Sequence, residues 1–225
     1  MPVARHLRNA PIREALIDIA VKLPQETSVA SLRTLRDQVA ADYPQQAELG
    51  ESELELVFSH QQNRFTQTRT PLGYRCQTKD DTKIVQFRVN GFTYNWLRPY
   101  ETWEALRDSA RKLWDVYRTV ATPSLVSRVG LRYINVLELP PMKDFAEYLT
   151  ATPKIPAELP QNVTRFLSRV SIISETSALS AVITEAFEGL MGPKNVTVLF
   201  DIDIQAVRFC GRRNYLDSVG RVAQL

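Results

Sequence analysis

The chain has 225 residues, 44% of them hydrophobic and 24% charged, a globular balance with material for one large domain or two small ones. No apolar run approaches the roughly 20 residues that cross a bilayer, and the N-terminal stretch MPVARHLRNAPIREA has no signal-peptide core. Cys76 and Cys210 form no CxxC pair, so membrane span, secretion signal and zinc or disulfide framework are all set aside, and a cytoplasmic location is expected.

The net charge of +3 invites a nucleic-acid reading, but Ala206–Leu225 alone sets Arg208, Arg212, Arg213 and Arg221 against Asp217. That segment holds the whole positive balance and leaves the rest of the chain neutral.

In chain order, Ala15, Ile17, Ile19, Val21 and Leu23 alternate with mostly polar neighbours, which predicts a half-buried strand ending at Pro24. A helix follows, with Ser28 or Ser31 as its cap, Leu32, Leu35, Val39 and Tyr43 on one face, and Pro44 as its stop. Leu54, Leu56 and Phe58 suggest a short strand, then a polar connection, then a strand at Gly73–Gln77.

Lys83–Arg98 reads as a hairpin turning at Asn90-Gly91, the preferred pair for a type I′ turn. That turn sets Val89 against Phe92, Phe87 against Tyr94 and Val85 against Trp96 on one apolar face. Gln86, Arg88, Thr93 and Asn95 take the other face. Shared with three aliphatic or aromatic neighbours, Phe92, Tyr94 and Trp96 read as core and not as a stacking platform. The next helix, Glu101–Val120, carries Trp103, Leu106, Ala110, Leu113, Trp114, Tyr117 and Val120 at helical spacing and should pack on that face.

The second part repeats this order. Val126–Leu139 is a strand, Lys143–Leu149 a short helix with Phe145 and Leu149 on one side, and Pro153–Pro160 a proline-punctuated loop. Leu167–Glu175, Leu179–Phe187 and Val196–Ile204 are strands. ALIDIAVKLP and LRYINVLELP are both alternating strands that close on Leu-Pro and run into a helix. The expected architecture is therefore α+β: a largely antiparallel sheet from two pseudo-repeated halves, residues 10–123 and 124–205, with helices mainly on one face. Residues 206–225, the place of a second closing helix, show neither a 3.6 nor a 2.0 period.

Codons exist for Cys210–Leu225 that, in a frame shifted by one nucleotide, spell AAEETIWTRLEELRNL. That string has leading acids and apolar residues at helical spacing. A frameshift, natural or in sequencing, is the expectation it raises. Loss of that helix would leave apolar sheet uncovered in the second half and favour self-association.

APIREALIDI, GYR, QFRVNGFTYNWLRPYETW, LW..Y, RVGLRYINVLELP, YL...P..P..LP and FDIDI resemble a sporadically distributed family of bacterial and archaeal proteins of uncharacterised function. The resemblance spans Ala10–Gln205 and is most specific over Gln86–Trp103 and Arg128–Pro140. It implies a C-terminal helix that this chain lacks after about Val207. The family's patchy distribution implies mobile or defence-associated loci. It supplies no catalytic residues.

Chemistry-bearing motifs are few. His6 and His60 belong to no HxH or HxxxH, and there is no GxSxG, Walker loop or GxGxxG. No cofactor is expected. Asp201 and Asp203, two apart on a strand, share a face and are the only candidate metal pair. Ion pairing with Arg128 and Arg132 is the simpler role for them. Gln86, Arg88, Asn95, Arg128 and Arg132 are the candidate binding residues, because they sit on polar faces of strands whose other faces are apolar. If the halves form one sheet, these side chains converge.

The expected function is a non-catalytic binding or interaction module with a protein partner encoded nearby. The alternatives are nucleic-acid binding through the polar sheet face and a divalent-metal enzyme using Asp201 and Asp203.

Overall fold

The computed structural model describes residues 9–58, 63–140, 145–174, 179–189 and 196–209, without the side chains of 53–58, 63–67, 188 and 207–209. His6, His60 and the shifted-frame segment Cys210–Leu225 lie outside the described residues. Strand β1, Ile12–Lys22, alternates as its sequence demands, burying Ala15, Ile17, Ile19 and Val21 on one face. On one side it pairs with β5, Gly91–Leu97, and on the other with β6, Leu125–Leu139.

The remaining strands are β2 (Gln45–Phe58), β3 (Asn63–Gln77), β4 (Lys83–Arg88), β7 (Arg165–Ser174), β8 (Leu179–Glu188) and β9 (Val196–Phe209). They complete one nine-stranded sheet in the order β2-β3-β4-β5-β1-β6-β9-β8-β7. Every pairing is antiparallel. Both parts of the chain thus place their first strand at the centre, their last strand beside it, and their earlier strands progressively outward. The sheet is continuous across both parts.

Helix α2, Trp103–Ala121, starts where Thr102 accepts from the Ala105 amide at 3.2 Å and stops where Thr122 turns left-handed at φ 43°. Its buried stripe, Leu106, Ala110, Trp114, Tyr117 and Ala121, lies on the aromatic face of β4 and β5, as its spacing predicts. Phe92 meets the Trp114 ring edge-on at 5.7 Å, Phe87 stacks on Tyr117 at 6.3 Å, and the Tyr117 hydroxyl donates to the Arg88 carbonyl at 2.8 Å.

Helix α1 is shorter than expected, Arg33–Gln38, preceded by one 3-10 turn at Ala30–Leu32. Neither serine caps it: the Ser31 hydroxyl donates to the Ser28 carbonyl at 2.6 Å. Leu32, Leu35, Val39 and Tyr43 are nonetheless all buried, in the same cluster as the stripe of α2. Among the described residues no helix is long and apolar enough to cross a membrane.

Three local expectations are corrected. First, Phe87 pairs with Phe92, Val85 with Tyr94 and Lys83 with Trp96, so the hairpin loop is Val89-Asn90. Neither Asn90 nor Gly91 has a positive φ, so this is not the type I′ turn their dipeptide suggests. Neighbours override the local preference: Val89 N–H donates to the Leu72 carbonyl at 2.9 Å, and Val21 N–H to that of Asn90 at 3.0 Å. Gly91 serves close approach instead, since a Cβ there would lie 2.7 Å from the Ile19 carbonyl oxygen. The slip preserves parity, so Val85, Phe87, Phe92, Tyr94 and Trp96 still share the buried face.

Second, residues 63–72 of the polar connection expected after Phe58 belong to strand β3. β3 pairs with β2 over its length but with β4 only from Gly73 to Gln77, leaving an outer two-stranded arm. Gly73, at φ 156°, marks the departure: a Cβ there would collide with the Phe87 carbonyl oxygen at 1.9 Å. Pro71 lies just beyond it, where β3 has no ladder with β4 to lose.

Third, the helix expected at Lys143–Leu149 is, within the described residues, a single 3-10 turn at Phe145–Glu147. Phe145 and Leu149 still pack inward, in a small second cluster with Leu139, Phe166, Phe187, Val196 and Val198. Strand β9 also runs to Phe209, paired with Val126, four residues into the segment expected to be irregular.

Candidate functional site

The residues that alternate with the core on β1 define the opposite sheet face. Asp18 lies directly across from Thr93 on β5 and from Gly130 on β6. It is the hub of this face. Thr93 donates to Asp18 Oδ1 at 2.6 Å, Arg88 donates to the same oxygen at 2.8 Å, and Arg128 donates to Oδ2. Arg128 also donates to Gln205 Oε1 at 3.3 Å.

A second centre lies one strand pair away. Arg132 forks onto Asp201, Nε to Oδ1 at 2.8 Å and Nη2 to Oδ2 at 2.7 Å. This two-pronged bond raises the Arg132 pKa further above its ordinary value. Asp203, directly across from Arg132, behaves oppositely: burial pushes its pKa up against the opposing pull of Arg132 and Arg128. Asn95 donates to Glu14 Oε1.

All five candidate binding residues therefore lie on this one face. Arg88, Arg128 and Asp18 form one network; Arg132 joins Asp201; Asn95 joins Glu14; and Gln86 lies beside Thr93 in the adjoining strand. The ion pairing expected of Arg132 is present. Arg128 is the correction, because it pairs with Asp18 on the neighbouring strand β1 and not with Asp201 or Asp203. Its register explains this: it sits opposite Ala20 and Val207, diagonal to Asp18 and Gln205, whereas Asp203 is opposite Arg132.

Asp18 and Glu14 are the residues that sequence reasoning missed. A readable signal existed: an acid set between Ile17 and Ile19 in an alternating strand requires a partner on its own face.

Chemically, three guanidinium groups face the four carboxylates of Glu14, Asp18, Asp201 and Asp203, so the cluster is close to neutral. Both Asp201 oxygens are engaged by Arg132. Among the described residues no group of three or more His, Cys, Asp or Glu side chains gathers to hold a metal ion. Two buried atoms on the face, Arg88 Nε and Asn95 Oδ1, have no hydrogen-bond partner among the described residues. The face also has a notch at Gly130, where a Cβ would meet nothing closer than 3.8 Å, between Asp18, Ile204 and Asp203.

No protein-family model matches the chain, and no curated protein matches it in sequence.

Proposed function

We propose that this is a non-catalytic interaction protein that engages a polypeptide partner through the polar face of its central strands. The observation that carries the reading is the pairing of Arg88, Arg128 and Arg132 with carboxylates of the same face. A face built to hold a phosphate backbone leaves cations unanswered; a near-neutral mosaic of fixed donors and acceptors suits peptide groups and polar side chains.

The family resemblance supports a partner encoded beside this chain at a mobile or defence-associated locus. The buried free thiol of Cys76 suits a reducing cytoplasm. The mirrored strand order about β1 and β6 supports duplication as the origin of the two halves.

The test has two arms. Labelled duplex and single-stranded nucleic acid at low salt should give no saturable shift; a salt-dependent shift gives the face to nucleic acid instead. Purification from the native source should retain a polypeptide on the wild-type chain and lose it on the Arg128→Glu/Arg132→Glu variant. Equal retention on both removes the polar face from the interaction.

A further inference from the structure

Among the described residues, strand β7 is an edge of the sheet with no strand paired beyond it. Its ten residues, RFLSRVSIIS, contain no proline, glycine or acid. Leu167 is 72% exposed, Val170 51%, Ile172 50% and Ile173 79%. Exposed edges are ordinarily blunted by charge, proline, bulges or brevity. The opposite edge, β2, shows such devices: Glu48, Glu51, Glu53 and Glu55 punctuate it, and its register slips between Leu49 and Gly50. β7 shows none of them except Arg165 and Arg169.

The register with β8 fixes the faces. Val170 and Ile172 lie on the face that α1 and α2 cover elsewhere, while Leu167, Arg169, Ser171 and Ile173 lie on the other. From this pattern we infer that a second copy of this chain pairs with β7 in antiparallel register, closing two sheets into one about a two-fold axis at Val170.

In that register Leu167 faces Ile173 of the second copy, so the two most exposed apolar side chains of the strand cover each other. Arg169 faces Ser171 and meets no like charge directly; Ile172 faces Ser168; Val170 faces itself. The symmetric arrangement is closed, and it adds a backbone ladder between the two edges, centred on Val170. Ile183 on β8, which lies opposite Val170, extends the apolar surface inward and becomes continuous with its counterpart in the second copy.

The competing arrangement sets β7 against β2 of the next copy, matching Arg165 and Arg169 to the glutamates. It would bury Leu167 and Ile173 against carboxylates at a desolvation cost, and it would not close.

Sedimentation and light scattering of the full chain read this directly. A dimer is expected at concentrations up to about 100 µM, persisting in about 0.5 M salt because its contacts are apolar. Ile173→Lys and Leu167→Lys, both at highly exposed positions that the fold does not need, should each weaken association by about tenfold or more while leaving circular dichroism and thermal unfolding unchanged. Val170→Cys should form a disulfide-linked dimer on oxidation, above the wild-type background. A monomer throughout, a dimer indifferent to Ile173→Lys, or an open ladder of oligomers that salt dissolves would each overturn the inference.

Discussion

One face of this sheet has two fates. Across β5 and β1 it lies under α1 and α2, and Ile17, Ile19, Phe92 and Tyr94 are fully buried there. Across β9, β8 and β7 the same face carries Ile202, Ile204, Ala181, Ile183, Val170 and Ile172, none of them fully buried. Both regions have the alternation of a half-buried strand, so the strands themselves do not account for the difference. What differs is the covering layer: Trp114 and Tyr117 sit on the first region, whereas on the second the 3-10 turn at Phe145 covers only the end at Phe166, Phe187 and Val198, and no described α-helix covers the rest. Strand pattern specifies that a face is to be covered, and a separate segment decides whether it is.

The largest predicted effect tests that division. Trp114→Ala removes a ring that stacks on Tyr117 at 5.4 Å and meets Phe92 edge-on. It should cost about 3–5 kcal/mol in denaturant unfolding. Ile172→Ala, half exposed in the uncovered region, should cost under about 0.5 kcal/mol in the monomeric chain. Comparable costs at the two positions would break the comparison.

The alkaline limb of stability should sharpen it next. Cys76 is fully buried beneath the covered face, and burial pushes its thiol up from 9.0 to about 11. The folded state keeps this proton after the unfolded chain has lost it. Stability from Cys76 is therefore complete below pH 9 and declines as pH rises toward 11, by about 3 kcal/mol in total. Burial also raises the pKa of Tyr43, Tyr94 and Tyr117 above the usual 10.0, which adds a steeper loss beyond pH 10. Cys76→Ala should remove only the component that begins at pH 9. An unchanged alkaline profile in that variant would show that the Cys76 thiol does not set the onset of the loss.

How much of this was legible in the sequence depends on where the information sits. The alternation of Ala15–Val21 and the helical stripe Leu106–Tyr117 are local periodicities, and both gave the right element and the right buried face. The Val89-Asn90 loop was not legible, because hydrogen bonds from β3 and β1, distant in sequence, override the preference of Asn90-Gly91. In the outer arm of β2 and β3 the alternation of Leu54, Leu56 and Phe58 was legible, but its length and its partner in β3 were not, because a two-stranded ribbon with no further described strand beside it need not alternate: Thr68, Arg69 and Thr70 are all exposed.

The candidate face shows the same limit. Arg88, Asn95, Arg128 and Arg132 were readable as polar positions on their strands, yet their grouping is a property of strand order. Asp18 became a hub only once β5 and β6 were placed on either side of β1.

The polar face extends the comparison to charge. Asp18 anchors the central network, 15% exposed, with Arg88, Arg128 and Thr93 upon it. Asp18→Ala leaves two guanidinium groups without a carboxylate. Their partial exposure reduces the penalty from that of a fully buried pair to about 2 kcal/mol, read from the denaturation midpoint. Arg88→Ala alone should cost less, because Arg128 and Thr93 still hold the carboxylate.

Asp203 should show the smallest effect, with the opposite sign. It sits on the same face as Asp18, yet burial raises its pKa, so its surroundings resist the charge that those of Asp18 answer. Between its unfolded and folded pKa values the folded state retains a proton that the unfolded state has released. The ionised group thus subtracts stability as pH rises through that window, and the subtraction is complete above the folded value. Asp203→Asn removes the titration while nearly preserving shape. At neutral pH it should leave stability unchanged or raise it by up to about 1 kcal/mol, whereas at pH 3, where Asp203 is already protonated, it should have almost no effect. Asp201→Asn, which loosens both prongs of Arg132, should destabilise at neutral pH. If Asp203→Asn destabilised as much as Asp201→Asn, the two carboxylates would be equivalent members of one ion-pair network, and the distinction between an answered and a resisted charge on this face would fall.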